Sequence, residues 1–242
     1  MQEYLNLLSS GWLQILLTVV ISYLLGSISF SIIITRIVSN KADIRTMGSG
    51  NAGFTNVLRS VGKGPAVFTI VFDFLKGIIS VLVGWLLFST IAPIEGGAVL
   101  QSEIISYGRY IGGMCCMFGH IFPIYFGFRG GKGVVTAAAL VAASDWRIFI
   151  LVVLTFAIVM LITKTVSKAS LTAAVLLPIY TWVITYFTDY LPSLNTQTPH
   201  TIAYVYIAVG CMLLVALTVI LKHKDNIKRI INGTEKKTTS KK

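Results

Sequence analysis

The sequence predicts an all-α polytopic membrane protein. Of its 242 residues, 55% are hydrophobic and only 12% are charged, and the mean hydropathy is +0.80. A soluble domain carries about 25% charged residues. The apolar residues also fall in long stretches with few charges, which is the pattern of helices that cross a bilayer.

The apolar runs define the predicted helices. The first run, 12–35, is long enough to cross a bilayer core. It has no basic segment before it and no small-residue cleavage site after it, so a secretory signal peptide is not expected. The other long runs cover 66–92, 104–128, 148–163, 171–191 and 202–221. The stretch 134–143 is too short to cross alone and is expected to form a hairpin with the short 148–163 run. The prediction is therefore about seven transmembrane helices, two of them short.

Charge placement predicts the orientation. Lys and Arg accumulate in cytoplasmic loops of membrane proteins. The segments 1–11, 93–103 and 189–201 contain no Lys or Arg, whereas most of the 20 basic residues lie in the other connections and after the last run. We expect an external N-terminus and a cytoplasmic C-terminus. The net charge of +11 then has a topological explanation, and nucleic acid is not an expected partner.

The chain is expected to form a single domain over 1–242, with a disordered basic tail from about 236. Its three cysteines lie within apolar runs and show no Cys-x-x-Cys or Cys/His ligand spacing. No cofactor and no metal requirement are therefore predicted.

The connection 42–64 has the composition of a phosphate-binding loop. It holds five glycines, which let backbone N–H groups approach an anion closely. Its arginines, Arg45 and Arg59, can bind phosphate oxygens in a bidentate way. The polar candidates are Ser49, Gly50, Asn51, Thr55 and Asn56. An ordinary cytoplasmic loop that follows the positive-inside rule is the alternative.

The segment "FRGGKG", 128–133, is a second candidate anion site. It is not a Walker A loop, because Lys132 is followed by Gly133 rather than Ser or Thr. Flexible backbone donors at Gly130 and Gly131 and one cation still suit phosphate, and a helix beginning at Val134 would direct its positive dipole end there. A tight turn between two membrane helices could use the same glycines.

A third basic cluster follows the last apolar run, at 222–235. On a helix, His223, Asn226 and Arg229 would share roughly one face. A membrane-exit helix with a solvated face is the alternative. All three clusters lie on the cytoplasmic side of the predicted topology, which favours a site for phosphate-bearing molecules.

Charged residues inside the apolar runs are a separate signal. Asp73 and Lys76 are three residues apart and close enough on a helix to pair. We interpret them as a structural ion pair, with a proton or ion relay as the alternative. His120 could either reach the cytoplasmic vestibule or bond a neighbouring helix.

Three segments, "GSGNAGFTNVLR", "GHIFPIYFGFRGGKG" and "HKDNIKRIINGTE", together resemble the bacterial acyl-phosphate:glycerol-3-phosphate acyltransferase family. The resemblance extends from "YLLGSISF" at 23–30 to Glu235. It implies a seven-helix fold in the bacterial plasma membrane, with an external N-terminus and a cytoplasmic active site. The implied reaction transfers a long-chain acyl group from acyl phosphate to the 1-hydroxyl of sn-glycerol 3-phosphate. The implied products are phosphate and lysophosphatidic acid. Lysophosphatidic acid is the first acylated intermediate of phospholipid synthesis.

The resemblance also implies roles for single residues. The implied catalytic residues are Ser49, Arg59, Lys132, His223 and Asn226. The implied substrate-binding residues are Arg45, Gly50, Asn51, Thr55, Asn56, His120, Gly130, Gly131, Gly133, Ser167, Ser170 and Arg229. Glu235 is expected to be structural. The chain departs from the family pattern at Ser29, Ser31, Phe54 and Lys168, which affects helix packing and donor fit more than the chemistry.

Two questions stay open at this point. The base that takes the hydroxyl proton could be His223 or the substrate's own phosphate, whose second pKa lies near 6. A transporter for an anionic metabolite is the rival function, supported by the intramembrane charges. Against it stand the polar groups concentrated on one side and the lack of a sequence repeat.

Overall fold

The computed structural model describes residues 2–93 and 97–237. The described residues form helices joined by connections of different lengths, and no strand occurs among them. The helices are α1 (Gln2–Ser10), α2 (Trp12–Ser27), α3 (Phe30–Val38), α4 (Phe54–Ser60), α5 (Lys63–Phe88), α6 (Gln101–Ile121), α7 (Val134–Ser144), α8 (Trp146–Thr163), α9 (Val166–Ile184), α10 (Leu191–Ser193), α11 (Ile202–Lys222) and α12 (Lys224–Ile231). The all-α prediction is confirmed.

Five stretches of the described chain are long and apolar enough to cross a membrane. They are Trp12–Val38, Lys63–Phe88, Trp146–Thr163, Val166–Ser193 and Ile202–Lys222. Helix α6 has 21 residues but carries Glu103 and Arg109. The count of seven spans and the orientation of the two termini stay predictions.

Several boundaries differ from the sequence prediction. The predicted first span is interrupted at Ile28 and Ser29, whose backbone is extended between α2 and α3. The run predicted to reach 128 ends as a helix at Ile121, because Pro123 cannot donate a backbone hydrogen bond and begins a short 3-10 turn instead. Helix α1 covers a segment that was expected only as an external end.

The chain divides into two compact units. The first unit comprises the residues up to Gly97 together with Gln101–Ser144, and the second comprises Ala98–Leu100 and the chain from Asp145 onward. In the first unit, α7 packs against α5 and α6, and in the second unit, α8 packs against α9. The predicted hairpin of the two short helices stays a prediction, as does the single domain. Most of the predicted basic tail lies outside the described residues.

Close helix contacts hold the first unit together. Gly84 of α5 faces Gly108 of α6, and a Cβ atom on either residue would collide with the backbone carbonyl of the other. Small residues at such contacts let two membrane helices approach each other closely. A cluster of fully buried apolar side chains supports the connection between α3 and α5: Ile32, Ile44, Ala52, Val57 and Ala66. The polar connection 42–64 is therefore anchored on a hydrophobic base.

Candidate functional site

The connection 42–64 is shaped by the side chain of Asn56. This residue is 2% exposed, and its Oδ1 accepts the backbone N–H of Ser49 at 3.0 Å. Its Nδ2 lies 3.1, 2.9 and 3.0 Å from the carbonyl oxygens of Ile44, Met47 and Asn51. The amide of Asn56 thus bonds backbone groups that have no regular helical partners in this irregular segment. Contact of Asn56 with a substrate stays a prediction, and the structure gives it a loop-forming position.

Arg45 joins this connection to the "FRGGKG" segment. Its Nε and Nη2 donate to the two carboxylate oxygens of Asp43, at 3.0 and 2.8 Å. Its Nη1 donates to the carbonyl oxygen of Phe126 at 2.6 Å and to that of Arg129 at 3.4 Å. The hydrogen bonds from Arg45 lower the pKa of Asp43 well below its usual range, and the carboxylate in turn raises the pKa of Arg45. Arg45 therefore holds two loops together, and its predicted contact with substrate is untested.

The "FRGGKG" segment folds back onto the end of α6. The N–H groups of Gly130 and Gly131 donate to the carbonyl oxygens of Ile121 and His120, at 3.2 and 3.1 Å. A Cβ atom at Gly130 would collide with the carbonyl oxygen of His120. A Cβ atom at Gly131 would collide with Nε2 of the same histidine and with the carbonyl oxygen of Ala52, at 2.5 Å for the latter. These two glycines are required because the backbone passes so close to its neighbours.

Lys132 follows at once and is half-buried. Gly133 has a left-handed φ of +79°, which a residue with a side chain adopts only with strain. Helix α7 begins at the next residue, Val134, as the sequence predicted. Its positive dipole end therefore lies beside Lys132, an arrangement that attracts an anion.

A buried cluster of charged side chains lies among α2, α5 and α6. Lys76 Nζ is 2.9 Å from Asp73 Oδ1, so the ion pair predicted from their spacing is present. The same nitrogen lies 2.9 Å from the carbonyl oxygen of Gly26, 2.6 Å from that of Ile28 and 3.1 Å from Nδ1 of His120. The three side chains are almost fully buried. His120 thus bonds a neighbouring helix, which was one of its two predicted alternatives.

The remaining predicted residues of the first unit lie on the same connections. Ser49 and Gly50 are exposed, Asn51 and Thr55 are half-buried, and Arg59 is exposed in the last turn of α4. The sequence interpretation missed Asp43, the partner of Arg45. Its position two residues before an arginine was the available signal, since a short acidic side chain often bonds the backbone two residues on.

In the second unit, Glu235 gathers three of the predicted residues. Its Oε1 accepts from Ser167 Oγ and from Asn226 Nδ2, both at 2.6 Å, and its Oε2 accepts from Arg229 Nε at 2.7 Å. Burial opposes ionisation of this carboxyl group, but the three hydrogen bonds outweigh it and lower the pKa of Glu235. The hydroxyl of Ser170 donates to the carbonyl oxygen of Val166 at 3.0 Å.

His223 stands between α11 and α12 and is 3% exposed. Its Nδ1 is 2.7 Å from the carbonyl oxygen of Val219. Because a carbonyl oxygen only accepts, Nδ1 carries a proton, and the basic lone pair of the neutral ring is on Nε2. The predicted residues therefore form one set in the first unit and another in the second unit.

Comparison with known proteins identifies relatives over nearly the whole chain. A family model described as glycerol-3-phosphate acyltransferase matches residues 16–233. The glycerol-3-phosphate acyltransferase of Prochlorococcus marinus (strain MIT 9215) is 37% identical over 222 residues, which cover 92% of this chain and 96% of the relative. That of Shouchella clausii (strain KSM-K16) is 37% identical over 224 residues, which cover 93% and 96%.

Two solved structures are also similar. Both are crystal structures of PlsY (YgiH), an integral membrane glycerol 3-phosphate acyltransferase, one in its glycerol 3-phosphate form and one in its lysophosphatidic acid form. They match with TM-scores of 0.68 and 0.70, at 30% identity, over 92% of this chain and 94% of theirs. The chain thus shares both sequence and an integral-membrane fold with these enzymes.

Proposed function

The chain belongs to the glycerol-3-phosphate acyltransferase family, and on this premise we propose that it transfers a long-chain acyl group from acyl phosphate to the 1-hydroxyl of sn-glycerol 3-phosphate. The products are lysophosphatidic acid and inorganic phosphate. The bacterial relatives and the apolar helices favour the plasma membrane as the location, and the positive-inside pattern favours an active site that faces the cytoplasm.

The observation that carries the proposal is the joined pair of loops in the first unit. Arg45 donates to the carbonyl oxygen of Phe126 across the two loops, and Gly131 lies against both His120 and Ala52. Lys132 is therefore held on a fixed backbone immediately before the positive end of α7. A fixed cation beside a helix N-terminus suits a phosphate group, and each proposed substrate carries one.

The chemistry needs no covalent acyl-enzyme, because acyl phosphate is already activated. The hydroxyl oxygen attacks the acyl carbonyl carbon, the bond from that carbon to the phosphate oxygen breaks, and phosphate leaves with its electron pair. Lys132 and Arg59 bind the phosphate groups and neutralise charge that develops in the transition state. Ser49 and Asn51 orient the donor.

The hydroxyl proton passes to a base. Nε2 of His223 has the lone pair for this role, since Nδ1 is bonded to Val219. The phosphate of the substrate is the alternative base, with a second pKa near 6. We favour the substrate phosphate, because the surroundings are basic and the carboxylates of Asp43 and Glu235 are already bonded to arginines.

The test is phosphate release by purified protein in detergent, given palmitoyl phosphate with and without sn-glycerol 3-phosphate. We expect release only when the acceptor is present, with lysophosphatidic acid formed in equal amount. Lys132→Ala should reduce kcat/KM by roughly 100-fold, as for loss of one preorganised group at a developing charge. Lys237→Ala, at an exposed lysine near the C-terminal end of the described chain, is the matched control and should retain activity.

The assay also separates the proposal from transport. A transporter has no gradient to act on in detergent and would release no phosphate. If correctly folded protein releases none with the acceptor present, the acyl-phosphate proposal is wrong for this chain.

A further inference from the structure

We propose that Lys76 is a positioning residue for the acyl transfer, acting through His120 on the "FRGGKG" segment. The inference rests on the proposed function, since it assigns what holds Lys132 in place. It goes beyond a structural ion pair, which would require only Asp73.

Lys76 directs its three ammonium protons at other parts of the molecule. An ammonium group has three N–H donors and no acceptor. Nζ has hydrogen-bonding geometry towards three acceptors: the carbonyl oxygens of Gly26 and Ile28 and Nδ1 of His120, at 2.9, 2.6 and 3.1 Å. Asp73 Oδ1, at 2.9 Å, supplies the opposite charge but accepts no well-oriented hydrogen bond. All three N–H donors of Lys76 are therefore engaged with other parts of the molecule.

Lys76 also supports the break between α2 and α3. Gly26 and Ile28 lie where α2 ends and the chain becomes extended before α3. Carbonyl oxygens at such a break lack partners from the helix ladder, and at membrane depth each must be satisfied by protein. Lys76 satisfies two of them, so the break and the histidine are fixed by the same nitrogen.

His120 connects Lys76 to the "FRGGKG" segment. Nδ1 of His120 lies 3.1 Å from Lys76 Nζ and 3.6 Å from Asp73 Oδ1, so the buried ion pair holds one edge of the ring. The other ring nitrogen is Nε2. That Nε2 is the atom that a Cβ at Gly131 would strike, and the N–H of Gly131 donates to the backbone carbonyl of His120 at 3.1 Å. The ring therefore forms the support on which the backbone next to Lys132 rests. Rotation of the ring would displace Lys132.

The size of the expected effect follows from this geometry. Misplacing a binding group by about 1 Å can cost roughly 100-fold in catalytic efficiency. Lys76 itself is 3% exposed and cannot reach a substrate without rearrangement. Its removal should therefore act through Lys132. The family resemblance implies that Lys132 and its neighbouring glycines hold the glycerol phosphate, so the effect is expected on the affinity for sn-glycerol 3-phosphate.

The experiment compares steady-state kinetics of Lys76→Met with those of Leu75→Met, an exposed neighbour on the same helix. We expect Lys76→Met to raise the KM for sn-glycerol 3-phosphate about tenfold or more, with the KM for palmitoyl phosphate within twofold of wild type. Leu75→Met should leave both values unchanged. In a Lys132→Ala background, Lys76→Met should add less than about twofold, because residues that act through one another are not additive.

A second variant protects the test against misfolding. Removing only the lysine leaves Asp73 as an unpaired buried charge, which is strongly destabilising, whereas neutralising both partners is tolerated far better. The double variant Asp73→Asn with Lys76→Met should be less destabilised than Lys76→Met alone, because it buries no unpaired charge, and should still show the raised KM for sn-glycerol 3-phosphate.

The outcomes are distinct. A purely structural role would lower the amount of folded enzyme, and so the apparent kcat, without changing either KM, and that result in the double variant overturns the inference. Fully additive effects of Lys76→Met and Lys132→Ala would overturn it as well. Failure of the wild-type protein to release phosphate would instead refute the proposed function.

Discussion

Replacing Glu235 by glutamine tests whether one carboxylate organises the second set of site residues. The change keeps the size of the side chain and removes its charge. In the native protein the carboxylate accepts hydrogen bonds from Ser167, Asn226 and Arg229, at 2.6, 2.6 and 2.7 Å. The variant should be less stable and should lose order among these three side chains.

The expected loss can be estimated from the contacts. Ser167 and Asn226 are buried, and a hydrogen bond to a charged acceptor is worth about 1.5–3 kcal/mol, against about 1 kcal/mol for a neutral one. The side chain of Arg229 is 41% exposed, so its ion pair adds at most about 1 kcal/mol. Glutamine keeps one oxygen for the buried donors, so we expect a net loss of about 2 kcal/mol. For a chain of this length that lowers the melting temperature by about 4–8 °C.

The assay is thermal unfolding in detergent, followed with a thiol-reactive dye. The chain suits this method because its free cysteines include Cys116, which is buried. The control is Asp225→Asn, an exposed carboxylate in the first turn of α12, which should cost at most about 1 kcal/mol. A shift for Glu235→Gln no larger than that of the control would refute the reasoning.

The pH dependence gives a second check with a defined sign. The pKa of Glu235 is lowered in the folded protein, so its contribution to stability is present above the pKa of the unfolded chain and is lost as the pH falls through the folded value. The difference between wild type and Glu235→Gln should therefore be constant from about pH 7 to pH 5 and should shrink below about pH 4. A difference that grows on acidification would contradict the assignment.

Three further substitutions test the first unit. Asn56→Ala removes an amide that bonds four backbone groups, and it should cost about 2–4 kcal/mol in thermal unfolding; a loss below about 1 kcal/mol would contradict its loop-forming position. Gly131→Ala should reduce kcat/KM by roughly 10- to 100-fold, whereas Gly64→Ala, where a Cβ meets nothing within 4 Å, should be neutral. In Arg45→Lys, the ammonium group cannot replace the planar guanidinium, which bonds Asp43 and the carbonyl oxygen of Phe126 at the same time, so activity should fall several-fold. Full activity would show that the two loops do not depend on this bridge.

Continuous apolar runs predicted the helices well where helix formation depends on local sequence. The predicted run 202–221 became α11, Ile202–Lys222, and the run 66–92 became α5, Lys63–Phe88. The break after Ser27 was not predictable in the same way. Its carbonyl oxygens are satisfied by Lys76, which is about 50 residues away in sequence, so hydropathy alone continues the helix through it.

The candidate site shows the same division. Spacing was sufficient to predict the pair Asp73 and Lys76, because residues three apart on a helix are neighbours. Composition selected the two glycine-bearing loops, and their binding of a substrate stays a prediction. The bond from Arg45 to Phe126 joins residues 81 positions apart, and local patterns contain no information about such a contact. Residues chosen for their ability to bind phosphate, such as Arg45 and Asn56, therefore proved to be engaged with other parts of the protein.

The glycines of the "FRGGKG" segment serve close approach more than flexibility. A mobile loop would lose conformational entropy on binding an anion, and that loss would weaken the site. Here the N–H groups of Gly130 and Gly131 are bonded to the end of α6, and a Cβ atom on either residue would collide with backbone or ring atoms. A backbone held in this way fixes the position of Lys132. If Lys132 binds the substrate as proposed, this meets the condition of a preorganised charge for stabilising a transition state. At Gly127 a Cβ atom would meet nothing within 4 Å, but φ is +65°, so alanine there would be limited by backbone strain. At Gly131 alanine would be limited by its contact with His120. The site is therefore expected to be sensitive to volume at Gly131 and to backbone conformation at Gly127.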